Sequence, residues 1–180
     1  YKSIFFDWVS RNTPELIFEF AEIAYNVVML KKAKAKFQQT KYDFIYERYA
    51  IFAFVGAFIA NKFNIPLVLE INYTSQSPLV RERSRLLKPL ATAADKWLFK
   101  KSTCLSVVSS NLKEHLMNDY LVPEEKIIVI PNAADPEKFI PSPPDEGCKA
   151  RLGIGNESVI GFVGGFYPWH GVNLLLDAFN

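Results

Sequence analysis

Cysteine is almost missing from this chain. Its two residues, Cys104 and Cys148, lie far apart and form no CxxC, which excludes a disulfide framework and points to a reduced, cytoplasmic setting. Long apolar runs are missing as well. The longest, Ala50–Ala60, is eleven residues, too short to cross a bilayer, and reads as a buried helix. Charge of one sign is missing. Lys and Arg outnumber Asp and Glu by 21 to 19, so nothing global points to nucleic acid. No GxGxxG with a downstream acid occurs, and no lysine follows the glycines of a P-loop. No cleavable signal peptide is visible. The chain starts at Tyr1 rather than Met and stops at Asn180 inside a helical pattern, so we expect a piece of something longer.

What is present is a core. Hydrophobic residues make up 49% of the chain, with fifteen Phe and eight Tyr, which argues for a folded protein against a disordered one. Thr13-Pro14-Glu15 reads as a helix start, and Leu16, Phe20, Ile23, Val27 and Leu30 mark one apolar face of that helix. Lys31, Lys32, Lys34 and Lys36 cluster at its end; a solvated helix terminus and a surface for anionic lipid both fit them. Strands are expected at Tyr42–Tyr46, Ile65–Ile71, Thr103–Val108 and Ile127–Ile130. Helices are expected at Ile51–Phe63, in two stretches of Leu79–Lys101 separated by Pro89, and from the Ser109-Ser110 cap to about Asn118.

Alternation at this spacing predicts an α/β fold, a Rossmann-like parallel sheet with helices on both faces. Ligands of such sheets bind beyond the carboxyl ends of the strands, where Glu70, Asn72, Ser109 and Asn132 fall. Glu47 and Arg48 also end a strand and read as an ion pair. Proline and glycine then accumulate. We place one domain at 1–134, a linker at 135–148 and the first β-α unit of a second domain at 149–180.

That second unit contains a strand at Val159–Val163, the break Gly164-Gly165, and a helix after Gly171 with Val172, Leu175, Leu176 and Phe179 at helical spacing. A glycine turn before a helix lets a phosphate approach the backbone. A turn that needs φ > 0 and binds nothing fits the residues equally.

Several stretches, in order, resemble one family. These are Ile127-Ile-Val-Ile-Pro-Asn-Ala-Ala-Asp-Pro-Glu-Lys-Phe139, then Arg151-Leu-Gly153, then Ile160-Gly-Phe-Val-Gly-Gly-Phe166. Together they resemble the family 4 glycosyltransferases, retaining enzymes of the two-Rossmann-domain (GT-B) type. Leu67-Val-Leu-Glu-Ile-Asn72 and Arg81-Glu-Arg-Ser-Arg85 look like the branch whose strand ends in Glu-x-Asn instead of a histidine.

The resemblance implies transfer of a sugar from a nucleotide-sugar donor to a glycan, lipid-linked or small-molecule acceptor, with retention of configuration and without a metal or other cofactor. It implies that Glu70 and Asn72 face the acceptor and the reacting sugar. Gly164, Gly165, Phe166, His170 and Gly171 match the turn against the donor phosphates, where Trp169-His170-Gly171 stand in place of a frequent Lys-Gly. Asn132 matches the inter-domain turn. The family's first strand, its donor-gripping Arg/Lys pair and its Glu-x7-Glu element have no counterpart in residues 1–180, so this length is expected to be inactive alone. A cytoplasmic enzyme, peripheral at the inner membrane if it meets the membrane at all, is the expectation. The alternative is a non-catalytic glycosyltransferase-like binding or scaffold module.

Overall fold

A computed structural model describes residues 14–77, 86–141, 143, 146–155, 157, 159–167 and 170–179. The chain divides into two compact units, Tyr1–Pro131 and Asn132–Asn180. Thr13, the Arg81–Arg85 stretch, the expected helix over 79–85 and Trp169 lie outside the described residues.

The first unit runs α1 (Glu15–Gln39), β1 (Ile45–Arg48), α2 (Val55–Phe63), β2 (Leu67–Ile71), α3 (Lys88–Lys101), β3 (Cys104–Val107), α4 (Ser110–Tyr120), a 3-10 turn (Glu124–Lys126) and β4 (Ile127–Val129). The four strands pair in parallel in the order β1-β2-β3-β4. This is the expected Rossmann-like parallel α/β class. Strand order also decides where the helices go. Crossovers between parallel strands are right-handed as a rule, so strands added in one direction put their crossover helices on one face.

Side chains follow that rule. Leu67, Leu69, Ile71, Leu105 and Val107 point into one core with Ala57 and Ala60 of α2, Leu98 and Phe99 of α3, and Leu116 and Tyr120 of α4. The alternate positions Tyr46, Arg48, Val68, Glu70 and Cys104 point the other way and are half-buried or exposed. That open face carries part of the candidate site.

Local chemistry explains where the elements begin and end. Ser109 caps α4 by accepting from Leu112 N–H at 3.2 Å, and the helix continues past Asn118 to Tyr120. Within the described residues Pro89 does not interrupt a helix. It sits in the first turn of α3, where its missing N–H costs nothing. Asn64 ends α2 in the left-handed conformation, which asparagine tolerates.

Helix α1 keeps only part of its expected apolar face inward: Ile23 packs against the core and Leu30 is half-buried. Leu16, Phe20 and Val27 are exposed, while Glu19 and Asn26 are buried. Hydrogen bonding decides this. Asn26 Nδ2 donates to Phe52 O at 2.8 Å and its Oδ1 accepts from Phe54 N–H at 3.2 Å, so one amide satisfies the loop before α2. Glu19 accepts from Leu87 N–H at 3.1 Å. Between Leu16 and Leu30 the polar residues Glu19, Glu22 and Asn26 fall on one stripe, and these polar anchors choose the inward face.

The second unit holds α5 (Glu146–Arg151) and α6 (Val172–Asp177). Gly153 ends the α5 segment with φ +68°. The strand expected at Val159–Val163 is not formed, and Val159, Ile160 and Val163 are exposed. A lone strand has no ladder to satisfy its backbone, and the described part of this unit contains no partner strand.

Candidate functional site

β2 delivers Glu70 to the open face, and the sheet register sets its neighbours. Arg48 and Glu70 are paired positions of adjacent strands, with Tyr46 one step earlier on the same face. Tyr46 Oη donates to Glu70 Oε2 at 2.8 Å, Asn72 Nδ2 donates to Glu70 Oε1 at 3.1 Å, and Arg48 Nε lies 3.3 Å from Oε1. The Tyr46 and Asn72 hydrogen bonds, with the Arg48 charge behind them, hold the Glu70 carboxyl below its usual range. Tyr46 is pushed up by the same carboxylate. Glu70 is therefore a fixed anion at neutral pH. It can accept from a hydroxyl or face a positive charge on a bound molecule.

Glu47 and Arg48 do not pair as expected. Strand alternation turns them to opposite faces. Glu47 points inward to the start of α2. Burial pushes its carboxyl up to about 7, against a hydrogen bond from the Gly56 backbone, and its Oε2 is buried without a partner.

The loop after β2 is anchored from below. Asp95 of α3 accepts from Tyr49 Oη at 2.7 Å, from Ser75 N–H at 2.9 Å and from Tyr120 Oη at 3.2 Å. Burial and the Asp95 charge push the Tyr49 hydroxyl far up, so it stays a donor. Beside this, His115 Nε2 lies 2.9 Å from Thr74 Oγ1, and His115 Nδ1 lies 2.6 Å from Asp119 Oδ2. The sequence reading missed these residues. Asp95, Thr74 and His115 come from three separate elements, and no local spacing reports their meeting. Tyr46 and Arg48 were legible in principle, because alternation on a parallel neighbour puts them on the face of Glu70.

In the second unit, Gly164, Gly165, Phe166, His170 and Gly171 are brought together. His170 Nδ1 donates to Gly165 O, and a cavity of about 350 Å³ is lined by Phe166, Tyr167, Gly171 and the start of α6. The reason for glycine differs along the turn. Gly171 has φ +63°, which favours glycine. Gly165 does not take a left-handed conformation. A Cβ there would lie 2.6 Å from the Tyr167 ring, so its reason is close approach. Asn132 is exposed and opens this unit. Among the described residues, no group of three or more His, Cys, Asp or Glu is placed to hold a metal ion, and no helix is long and apolar enough to cross a membrane.

A Rossmann-like parallel sheet with a fixed carboxylate and amide at the carboxyl end of a strand defines a class, the α/β ligand-binding and group-transfer domains. Comparison with known proteins narrows the class. The profile of Glycosyltransferase Family 4 matches residues 4–138, and the chain belongs to that family. The match covers Glu70, Asn72 and Asn132 and ends before the glycine turn. No curated protein matches the chain.

Proposed function

We propose that this chain carries the acceptor-side domain, and the start of the donor-side domain, of a retaining nucleotide-sugar glycosyltransferase. The observation that carries the reading is the carboxylate–amide pair Glu70–Asn72 at the carboxyl end of β2, inside a region that belongs to Glycosyltransferase Family 4. Glu70 stays ionised and faces the acceptor and the reacting sugar. Asn72 holds the acceptor beside it. In the second unit, Gly164, Gly165 and Phe166 approach the donor diphosphate, with His170 and Gly171 completing the turn. The donor binds without a metal, because backbone N–H groups meet the charge developing on the leaving phosphate. Domain limits of 1–134, 135–148 and 149–180 go with this reading.

The protein works in the cytoplasm, peripheral to the inner membrane. The exposed Leu16, Ile17, Phe20 and Val28 of α1, followed by Lys31 and Lys32, support membrane contact.

Calorimetry of the full-length protein, not of residues 1–180 alone, with UDP and GDP, with and without EDTA, tests the donor side. The expected result is saturable binding of one nucleotide, unchanged by EDTA and lost in Gly165→Val. Absence of binding to both, in protein whose folding is verified by circular dichroism, favours the non-catalytic binding module.

A further inference from the structure

At the amino-terminal ends of β3 and β4, a cavity of about 570 Å³ lies between the last turns of α3, the end of α4 and the 3-10 turn. Such a volume suits a small molecule. Glu70 and Asn72 stand at the opposite, carboxyl end of the parallel strands, so this cavity is separate from the candidate site.

Positive charge gathers there. Lys96, Lys100 and Lys126 line the cavity, and no Asp or Glu is among its described lining residues. The neighbouring acids are placed elsewhere. Asp95 is buried and accepts from Tyr49, Ser75 and Tyr120. Glu124 is paired with Lys113 at 2.7 Å, and Glu125 is exposed outside the lining.

Helix-end chemistry accounts for only part of this charge. Lys126 Nζ donates to Lys100 O and Ser102 O, each at 3.0 Å, and so closes the end of α3. An ammonium has three N–H groups, so one remains. Lys100 stands in the last turn, where a cation suits the helix dipole. Lys96 stands a turn earlier, where that dipole has faded. It shares a helix face with Lys100, and like charges at this spacing repel. Among the described residues, neither Lys96 nor Lys100 has an acidic partner. An anion in the cavity relieves the repulsion, and the half-burial of Lys126 strengthens its attraction.

The rest of the wall is apolar. Phe99, Tyr120 and Val122 form its buried part, and Leu121 and Pro123 are exposed. Leu121 ends α4 with φ 56°, the left-handed conformation that favours glycine or asparagine, yet its side chain is 80% exposed. Neither the backbone nor the core gains from a leucine there. A ligand with an apolar body does.

We infer that this cavity binds a phosphate monoester carried on an apolar or aromatic body, with Lys96, Lys100 and the remaining N–H of Lys126 on the phosphate and Leu121 and Pro123 against the body. Three cations suit a phosphate dianion better than a single carboxylate charge. The inference stands apart from the transferase reading.

The test is calorimetry of the full-length protein with phenyl phosphate, inorganic phosphate and phenol. Saturable binding of phenyl phosphate is expected, with inorganic phosphate at least tenfold weaker and no binding of phenol. The double variant Lys96→Glu, Lys100→Glu changes only exposed side chains and is expected to weaken phenyl phosphate at least tenfold; Lys96→Arg, Lys100→Arg is expected to keep it. Leu121→Gly relieves the left-handed leucine, so its thermal midpoint is expected at or above the parent's while phenyl phosphate weakens at least threefold and inorganic phosphate stays unchanged. Gly165→Val separates this cavity from the glycine turn and is expected to leave phenyl phosphate binding intact. Five results overturn the inference: phenyl phosphate does not bind, phenol binds as well, the charge reversal is without effect, Leu121→Gly binds phenyl phosphate like the parent, or Gly165→Val abolishes the binding. The natural source is read from vesicles of phosphatidylcholine with and without phosphatidic acid. Loss of the phosphatidic acid preference in the charge reversal assigns the site to a lipid headgroup; an unchanged preference, with phenyl phosphate binding lost, assigns it to a soluble ester. Nucleotide binding is scored in the same samples: phenyl phosphate binding without UDP or GDP binding keeps this site and sinks the transferase reading.

Discussion

The two units of this chain carry similar apolar sequence and treat it in opposite ways. In the first, Leu67, Leu69, Ile71, Leu105 and Val107 are wholly buried between paired strands and helices. In the second, Val159, Ile160 and Val163 have the same residue types and strand pattern, yet they stay exposed, Val163 at 101%. The difference lies in partners. A strand satisfies its backbone only in a ladder and buries its side chains only under a second layer. Periodicity states what a segment can become, and its neighbours decide whether it does.

The contrast breaks if equivalent truncations cost the same in both units. Leu69→Ala removes a side chain that is 0% exposed and is expected to cost about 2–5 kcal/mol in urea unfolding followed by circular dichroism. Val163→Ala, in open solvent, is expected to stay within about 0.5 kcal/mol of the parent. Equal losses would mean that Val163 is buried in solution.

A second difference concerns charge. Glu47 is a largely buried carboxyl pushed up to about 7 by desolvation, whereas the described carboxylates of the second unit are exposed. A folded-state value above the unfolded one means that the native state binds the proton more tightly. Stability is therefore highest below the unfolded value, near 4.5, and falls as pH rises through about 7. The loss from this one group is expected to be about 2–3 kcal/mol across that window. Glu47→Gln is expected to flatten the slope and to be the more stable protein at pH 8. A parent whose unfolding midpoint does not fall between pH 5 and pH 7.5 relative to the Gln variant would refute the assignment.

Glycines sharpen the contrast at smaller scale. A Cβ on Gly56 falls 1.9 Å from Glu47 Oε2, whereas nothing lies within 4 Å of one on Gly161. Gly56→Ala is expected to cost about 1–3 kcal/mol, because a packed carboxylate must shift. Gly161→Ala is expected to be neutral in the same unfolding experiment.

The fold class was legible because each βα repeat combines a short β-branched run with a helical stretch, and Ser109 and Asn64 mark ends by local chemistry. The face of α1 was not. The deciding contacts of Glu19 and Asn26 reach Leu87 and Phe52, far away in sequence. Part of the candidate site was legible: Glu70 lies in a recognisable strand and Asn72 directly follows it. The supports beneath them, Asp95, Thr74 and His115, meet only through tertiary packing. At the glycine turn the positions were read, but Gly165 is explained by the Tyr167 ring and not by a left-handed backbone.

The smallest expected effect is the one place where the two units should agree. Lys113 pairs with Glu124 at 2.7 Å in the first unit, and Lys138 pairs with Asp135 at 3.0 Å in the second. Hydrogen bonds from these lysines hold both carboxyls below their usual values, with the Glu137 N–H adding to the effect on Asp135. Any stability they add is present above the unfolded carboxyl value and lost as pH falls through the folded one. Both carboxylates are exposed, so water and salt screen them. Carboxyl ¹³C titration is expected to find both depressed, and about 1 M salt to move both back toward ordinary values. Glu124→Gln and Asp135→Asn are expected to leave the thermal midpoint unchanged. A clear loss for either would show that surface ion pairs, and not burial alone, separate the stable unit from the open one.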